Sequence, residues 1–228
     1  SKDSNENANE PKGPAKWKLN LIGSKQRVTL MELYTNNYYS EDINNVCKLS
    51  LPWDELRGKS IMLSGATGLI GSFFVDVISE KNITDGLNCT VYALVRNEGK
   101  AKARFSKFAD DTHLVFIPYD VKYPLVTDTP EKIDYILHLA SNTHPMLYAT
   151  DPIGTITTNI IGLQNLLEFA AAHRCERFIF ASSNEVYGEN RGDAELFDED
   201  YCGYINCNTL RAGYPESKRC GEALCQAY

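Results

Sequence analysis

Tyr214 and Lys218 stand four residues apart in Gly213-Tyr-Pro-Glu-Ser-Lys-Arg219, and far upstream lies the glycine run Gly65-Ala-Thr-Gly-Leu-Ile-Gly71. At that spacing on a helix the phenol and the ammonium share one face, one turn apart. A nearby cation favours ionisation of a phenol whose unperturbed pKa is about 10, so Tyr214 reads as a base working closer to neutral pH. Such a base suits removal of a proton from a sugar or alcohol hydroxyl during hydride transfer. Pro215 is tolerated only within the first helical turn, which puts Tyr214 at the helix entrance, facing a cleft.

The glycines supply the second half of that chemistry. A strand that passes through glycines into a helix lets backbone N–H groups and the helix N-terminus meet a pyrophosphate. Gly65, Gly68 and Gly71, with Leu69 and Ile70 between them, are spaced G-x-x-G-x-x-G, and the pattern alone is also compatible with a tight turn. Near the end of the next strand the acidic residue that would hold the ribose hydroxyls of NAD is absent from Ala93-Leu-Val-Arg96-Asn97. Arg96 could instead face a 2′-phosphate, so the choice between NAD and NADP stays open. Asp120-Val121 follows a third strand, where a carboxylate could accept from an adenine amino group. His138-Leu139-Ala140-Ser141 ends a fourth, at the edge where ligands of open α/β sheets bind, and His138 itself reads as a packed core residue.

The elements that must position these groups alternate. Ser60 to Ser64, Thr90 to Val95, Leu114 to Ile117, Tyr135 to Ala140 and Phe178 to Ser182 read as strands. Helices are expected over Leu69 to Ser79, from about Thr155 to Ala172 and from near Tyr214. This predicts an α/β fold with a doubly wound, Rossmann-like parallel sheet over residues 57–228. Residues 1–16 are polar with almost nothing apolar and are expected to be disordered. Residues 17–56 are expected to form a helical N-terminal extension, with Leu30, Met31, Leu33, Tyr34, Ile43, Val46 and Leu49 at helical spacing.

A net charge of -7 argues against nonspecific nucleic-acid binding and for a small-molecule partner. No stretch reaches the ~20 apolar residues of a membrane span, so a soluble, cytoplasmic protein with no membrane partner is expected. The seven cysteines are scattered, with no C-x-x-C pair, and read as reduced thiols rather than metal ligands.

With the glycines, Asp120-Val121, His138 to Ser141, Ser182-Ser-Asn-Glu-Val-Tyr-Gly188 and Tyr214 to Lys218 in this order, the chain resembles the extended short-chain dehydrogenase/reductases, the NAD-dependent epimerases and dehydratases. The resemblance covers about Leu56 to Tyr228. Two stretches are most similar to UDP-glucuronate decarboxylases: His138 through Pro145, Tyr148, Asp151-Pro152 and Asn159, then Tyr201 through Arg219. Two departures stand out: Ser183-Asn184-Glu185 where that family has Thr-Ser-Glu or Thr-Asp-Glu, and Arg96 in place of an acid.

The resemblance implies a nucleotide-sugar substrate modified through a transient 4-keto intermediate. Tyr214 would take the 4-hydroxyl proton, Lys218 would lower the phenol pKa and bind the nicotinamide ribose, and Ser183 would hydrogen-bond the same oxygen. Glu185 would act on the C5 side, as in decarboxylases and 4,6-dehydratases, whereas simple 4-epimerases do not generally need it. Asn184 does not ionise, which disfavours acid-assisted elimination of water. Asn184, Tyr148 and Arg211 are expected to contact sugar or carboxylate. Alternatives are a 4-epimerase, a 4,6-dehydratase or a noncatalytic dinucleotide-binding fragment. Family members normally continue past Lys218 into a smaller lobe that binds the substrate's nucleotide, so this chain is expected to be a fragment lacking it. The resemblance also implies a homodimer through the helices that begin near Thr155 and Tyr214.

Overall fold

The computed structural model describes residues 30–128, 132–142, 146 and 150–228. The expected tail over 1–16, the start of the extension, and Tyr148 lie outside the described residues. Strands β1 (Ser60–Ser64), β2 (Thr90–Val95), β3 (Leu114–Pro118), β4 (Tyr135–His138) and β5 (Arg177–Phe180) form one sheet in the order β3-β2-β1-β4-β5. All four pairings are parallel, and Leu63 at the centre is flanked by Ala93 and Leu137. The connections change direction at β1, which leaves a crevice outside the carboxyl ends of β1 and β4.

The helices are α1 (Leu30–Thr35), α2 (Asn37–Cys47), α3 (Leu69–Asp85), α4 (Glu98–Arg104), α5 (Pro152–Ala172) and α6 (Gly213–Ala227). Alternation along the strands splits the core in two. Ile61, Leu63, Val91, Ala93 and Val95 pack under α3 and α4 with Val75, Ile78, Ala101 and Phe105. Met62, Leu94 and Ile136 face α5 with Leu166, Phe169 and Ala170. Both faces of the central strands are thus covered, which explains their unbroken apolar sequence. Among the described residues no helix is long and apolar enough to cross a membrane.

The element boundaries depart from the sequence expectation for identifiable reasons. α3 runs on from Ser79 to Asp85 because its polar second half finds tertiary partners: Asn82 exchanges two 2.9 Å hydrogen bonds with the backbone of Cys89. Gly86 then closes the helix in the left-handed conformation. α5 starts at Pro152, because Asp151 caps the Gly154 N–H at 3.0 Å and proline suits the first helical position. α4 is too short to show a period, and its start is marked only by Asn97, whose side chain accepts from Lys100 N–H at 2.8 Å. β4 and β5 each end two residues early, because Leu139-Ala140 and Ala181-Ser182 leave the ladder to line the crevice.

Candidate active site

A cleft of about 640 Å³ opens over the carboxyl ends of β1, β2 and β4. Its floor explains the glycines. Gly65 follows β1 with φ +73°, and a Cβ there would lie 2.9 Å from both Leu139 C and Ala140 N. A Cβ on Gly71 would overlap the Gly65 carbonyl oxygen. Only glycine lets the turn, the first turn of α3 and the end of β4 approach this closely. Gly68, at the N-cap of α3, has no side chain to cap the helix, whereas α4 and α5 are capped by Asn97 and Asp151. The first amides of α3 therefore face the cleft, together with Leu69 and Ile70, which are highly exposed within it. This is a cradle suited to a pyrophosphate.

Around that cradle the cleft gathers Arg96, Asp120, Val121, Leu139, Ala140, Ser141, Tyr214 and Lys218, all expected from sequence. Gly71 lies behind it and acts through close packing. Asp120 holds its own loop, accepting from Lys122 N–H at 3.1 Å. Thr67, Tyr119, Lys122, Asn142, Asp151, Thr158 and Ser182 also line the cleft, though the sequence reading assigned none of them a site role.

Tyr214 and Lys218 lie in the first turns of α6, 6% and 3% exposed. Lys218 Nζ donates to Ala181 O at 2.6 Å and sits 4.5 Å from the Phe180 ring centroid and 5.9 Å from that of Tyr214. Burial pushes its pKa down to about 8. A buried polar chain fixes α6: Ser141 Oγ donates to Asn159 Oδ1 at 2.7 Å, Asn159 Nδ2 to Ser217 Oγ at 2.8 Å, and Ser217 Oγ to Tyr214 O at 2.8 Å. Asn159 is fully buried, and in the sequence it stands out only as part of the stretch that carries the family resemblance. Beneath Phe180 lies His138, stacked at 5.8 Å and 1% exposed. Ser64 Oγ accepts from Ala140 N–H at 3.2 Å and lies within hydrogen-bond distance of His138 Nδ1, at 2.6 Å. Burial, reinforced by the charge of Lys218, depresses the imidazole pKa to about 3.

The remaining sequence candidates sit beside the cleft on short turns. Ser183 precedes the 3₁₀ turn Asn184–Tyr187 and its Oγ accepts from Glu185 N–H at 3.2 Å. Arg211, in the 3₁₀ turn Leu210–Ala212, donates to Glu185 Oε1 at 2.7 Å. Arg219 clamps this region, donating to Val186 O at 2.5 Å and Gly203 O at 2.9 Å.

The family model described as the NAD dependent epimerase/dehydratase family matches residues 61–228. UDP-glucuronic acid decarboxylase 1 of Danio rerio is 35% identical over 171 residues, covering 75% of this chain and 38% of that protein. UDP-glucuronic acid decarboxylase 5 of Arabidopsis thaliana is 32% identical, covering 72% of this chain and 45% of its own length. The chain thus spans less than half of these relatives. Among solved structures, a UDP-glucuronic acid 4-epimerase of Bacillus cereus in complex with NAD superposes with a TM-score of 0.55 at 24% identity, over 74% of this chain and 52% of that one. A dTDP-glucose 4,6-dehydratase of Streptomyces venezuelae gives 0.57 at 23%, over 74% and 51%. These two share the fold. The glycine cradle, the order of the strands and the match over residues 61–228 agree, and the chain belongs to the NAD dependent epimerase/dehydratase family.

Proposed function

We propose that this chain carries the cofactor site and the proton-transfer residues of a nucleotide-sugar enzyme that works through a transient 4-keto sugar, with UDP-glucuronate decarboxylation as its reaction. The observation that carries the reading is the placement of Tyr214 and Lys218 in one cleft with the glycine cradle. The similarity to UDP-glucuronic acid decarboxylases supports the choice of reaction. The cradle fits a dinucleotide, because a Cβ at Gly65 or Gly71 would fill the space the turn needs. When bound, NAD or NADP supplies the acceptor for the C4 hydride and returns it at the end.

Tyr214 takes the 4-hydroxyl proton while the hydride leaves C4. Lys218, one turn along the same helix face, would hold the nicotinamide ribose. Ser183 hydrogen-bonds the oxygen on which charge develops. The C4 carbonyl then accepts the electron pair released when the C5–C6 bond breaks and carbon dioxide departs, and C5 is reprotonated on the side of Glu185. Arg211 presents a guanidinium to the sugar carboxylate, and Asn184 contacts the sugar. We place the self-association surface on α5 and α6, where Ile153, Ile156 and Ile161 are exposed.

The test incubates the protein and dinucleotide with UDP-glucuronate and a panel of other nucleotide sugars. Release of carbon dioxide from UDP-glucuronate is expected. A 4-keto product without carbon dioxide would redirect the reading to dehydration, and a 4-epimer to epimerisation. Bound dinucleotide with no turnover of any sugar would leave a noncatalytic binding module.

A further inference from the structure

Residues 30–60 precede the family match, yet α1 and α2 complete a polar cluster inside it. Asp76 in α3 and Arg104 at the end of α4 form a buried ion pair, 0% and 7% exposed, with Arg104 Nη2 2.7 Å from Asp76 Oδ2. Such a pair must have its remaining hydrogen-bonding groups satisfied to be tolerated. Two tyrosines of the extension supply what is needed. Tyr34 Oη donates to Asp76 Oδ1 at 2.8 Å and accepts from Arg104 Nη1 at 2.6 Å. Tyr39 Oη donates to Asp76 Oδ2 at 2.5 Å and accepts from Arg104 Nη2 at 2.8 Å. The guanidinium carbon also lies 5.4 Å and 5.8 Å from the centroids of those two rings. Burial and the Asp76 charge push both phenols up, to about 12 for Tyr39, so they stay protonated donors.

The two helices joined by this cluster are the ones whose N-termini frame one end of the cleft. α3 opens with the glycine cradle, and α4 opens directly after Arg96, with Asn97 as its cap. α4 has only seven residues, opens on that cap and packs on the sheet through Ala101. Its far end is the residue held by both tyrosines. We infer that α1 and α2 act as a brace that fixes α4 against α3, and that Tyr34 and Tyr39 are positioning residues for the adenosine half of the bound dinucleotide. The inference rests on the cofactor reading above and assigns the extension a role in it.

The test uses the full chain with Tyr34→Phe and Tyr39→Phe combined, which keeps both rings and removes both hydroxyls. Calorimetric titrations with ADP-ribose and with nicotinamide mononucleotide separate the two halves of the ligand. ADP-ribose is expected to bind about tenfold more weakly, a coupling of ordinary size, with nicotinamide mononucleotide unchanged. Amide hydrogen exchange should speed up across Arg96 to Lys100 in the same variant. If the double variant does not fold, Tyr39→Phe alone, which leaves the Tyr34 contacts, should move both readouts in the same direction by less. A lower melting temperature with both affinities unchanged would make the cluster a stabilising device only and overturn the brace. A wild-type chain that binds neither ADP-ribose nor dinucleotide would overturn the cofactor reading, and the brace with it.

Discussion

At the cofactor end of the cleft the backbone itself makes the site: Gly65 and Gly71 leave no room for a Cβ between β1, α3 and β4. Across the cleft, Ser183, Glu185 and Arg211 ride on two 3₁₀ turns whose side chains meet in one partly exposed ion pair at 2.7 Å. The first arrangement tolerates almost no change of shape. The second is side-chain chemistry on a surface, where an ion pair contributes little to stability and its members remain able to serve a ligand. On the proposed reading, a cofactor common to many reactions is held by the rigid half, and the choice of reaction falls to the adjustable one.

The largest expected effect lies where the two halves meet. Tyr214→Phe keeps the ring packed at the start of α6 and removes only the oxygen proposed as acid and base. Hydride transfer, followed by the absorbance of reduced nicotinamide in a single turnover, should fall by about a thousandfold while dinucleotide affinity holds. A Phe variant that retains most of the wild-type rate would refute the assignment of the base.

Next comes a direct contrast of the two halves. Gly71→Ala forces a methyl group into the Gly65 carbonyl and should cost about 1–3 kcal/mol in denaturant unfolding, with a clear loss of dinucleotide affinity. Arg211→Ala, on the other side, should change stability by less than about 1 kcal/mol while impairing turnover of a carboxylated sugar. Equal stability losses at the two positions would erase the distinction between them.

The buried ionisable groups in and behind the cleft give a pH signature. His138 has a folded pKa near 3 against an ordinary 6.5, so between those values the unfolded chain binds more protons. Stability should therefore fall as the pH drops from 6.5 towards 3, with a slope of at most about 1.4 kcal/mol per pH unit for this one proton. Lys218 has a folded pKa near 8 against 10.5, so the same sign applies there, and stability gains as the pH rises through that interval. His138→Gln should flatten the acid limb in urea melts taken across this range. An unchanged acid limb would show that the imidazole does not titrate as its burial requires.

The sequence carried the rigid half well and the adjustable half unevenly, for physical reasons. Backbone shape demands glycine, so Gly65, Gly68 and Gly71 mark the cradle in the chain itself, and β2 was legible residue for residue. Asn159 and Ser217 stand in the stretches that carry the resemblance, but their pairing is not legible there, because the fold brings them together from two helices. Thr67, Tyr119 and Lys122 line the cleft through loop paths that no periodicity encodes. The pairing of Glu185 with Arg211, 26 residues apart, is likewise a product of two turns converging. α4 was missed because seven residues make too few turns for a pattern.

The smallest expected effect tests a place where the rigid half would rely on an exposed charged side chain. Arg96 follows β2 at the rim of the cleft, and the next residue, Asn97, is committed to capping α4. No carboxylate stands there to bind ribose hydroxyls, and a guanidinium suits a 2′-phosphate. Its solvent exposure limits the gain, since water competes for both partners. Arg96→Ala should therefore weaken NADP binding about fivefold and leave NAD binding unchanged, as read from paired calorimetric titrations. An unchanged ratio of the two affinities would remove Arg96 from cofactor choice. Recognition at this end would then rest on the backbone cradle alone, and the contrast between the two halves of the cleft would be sharper still.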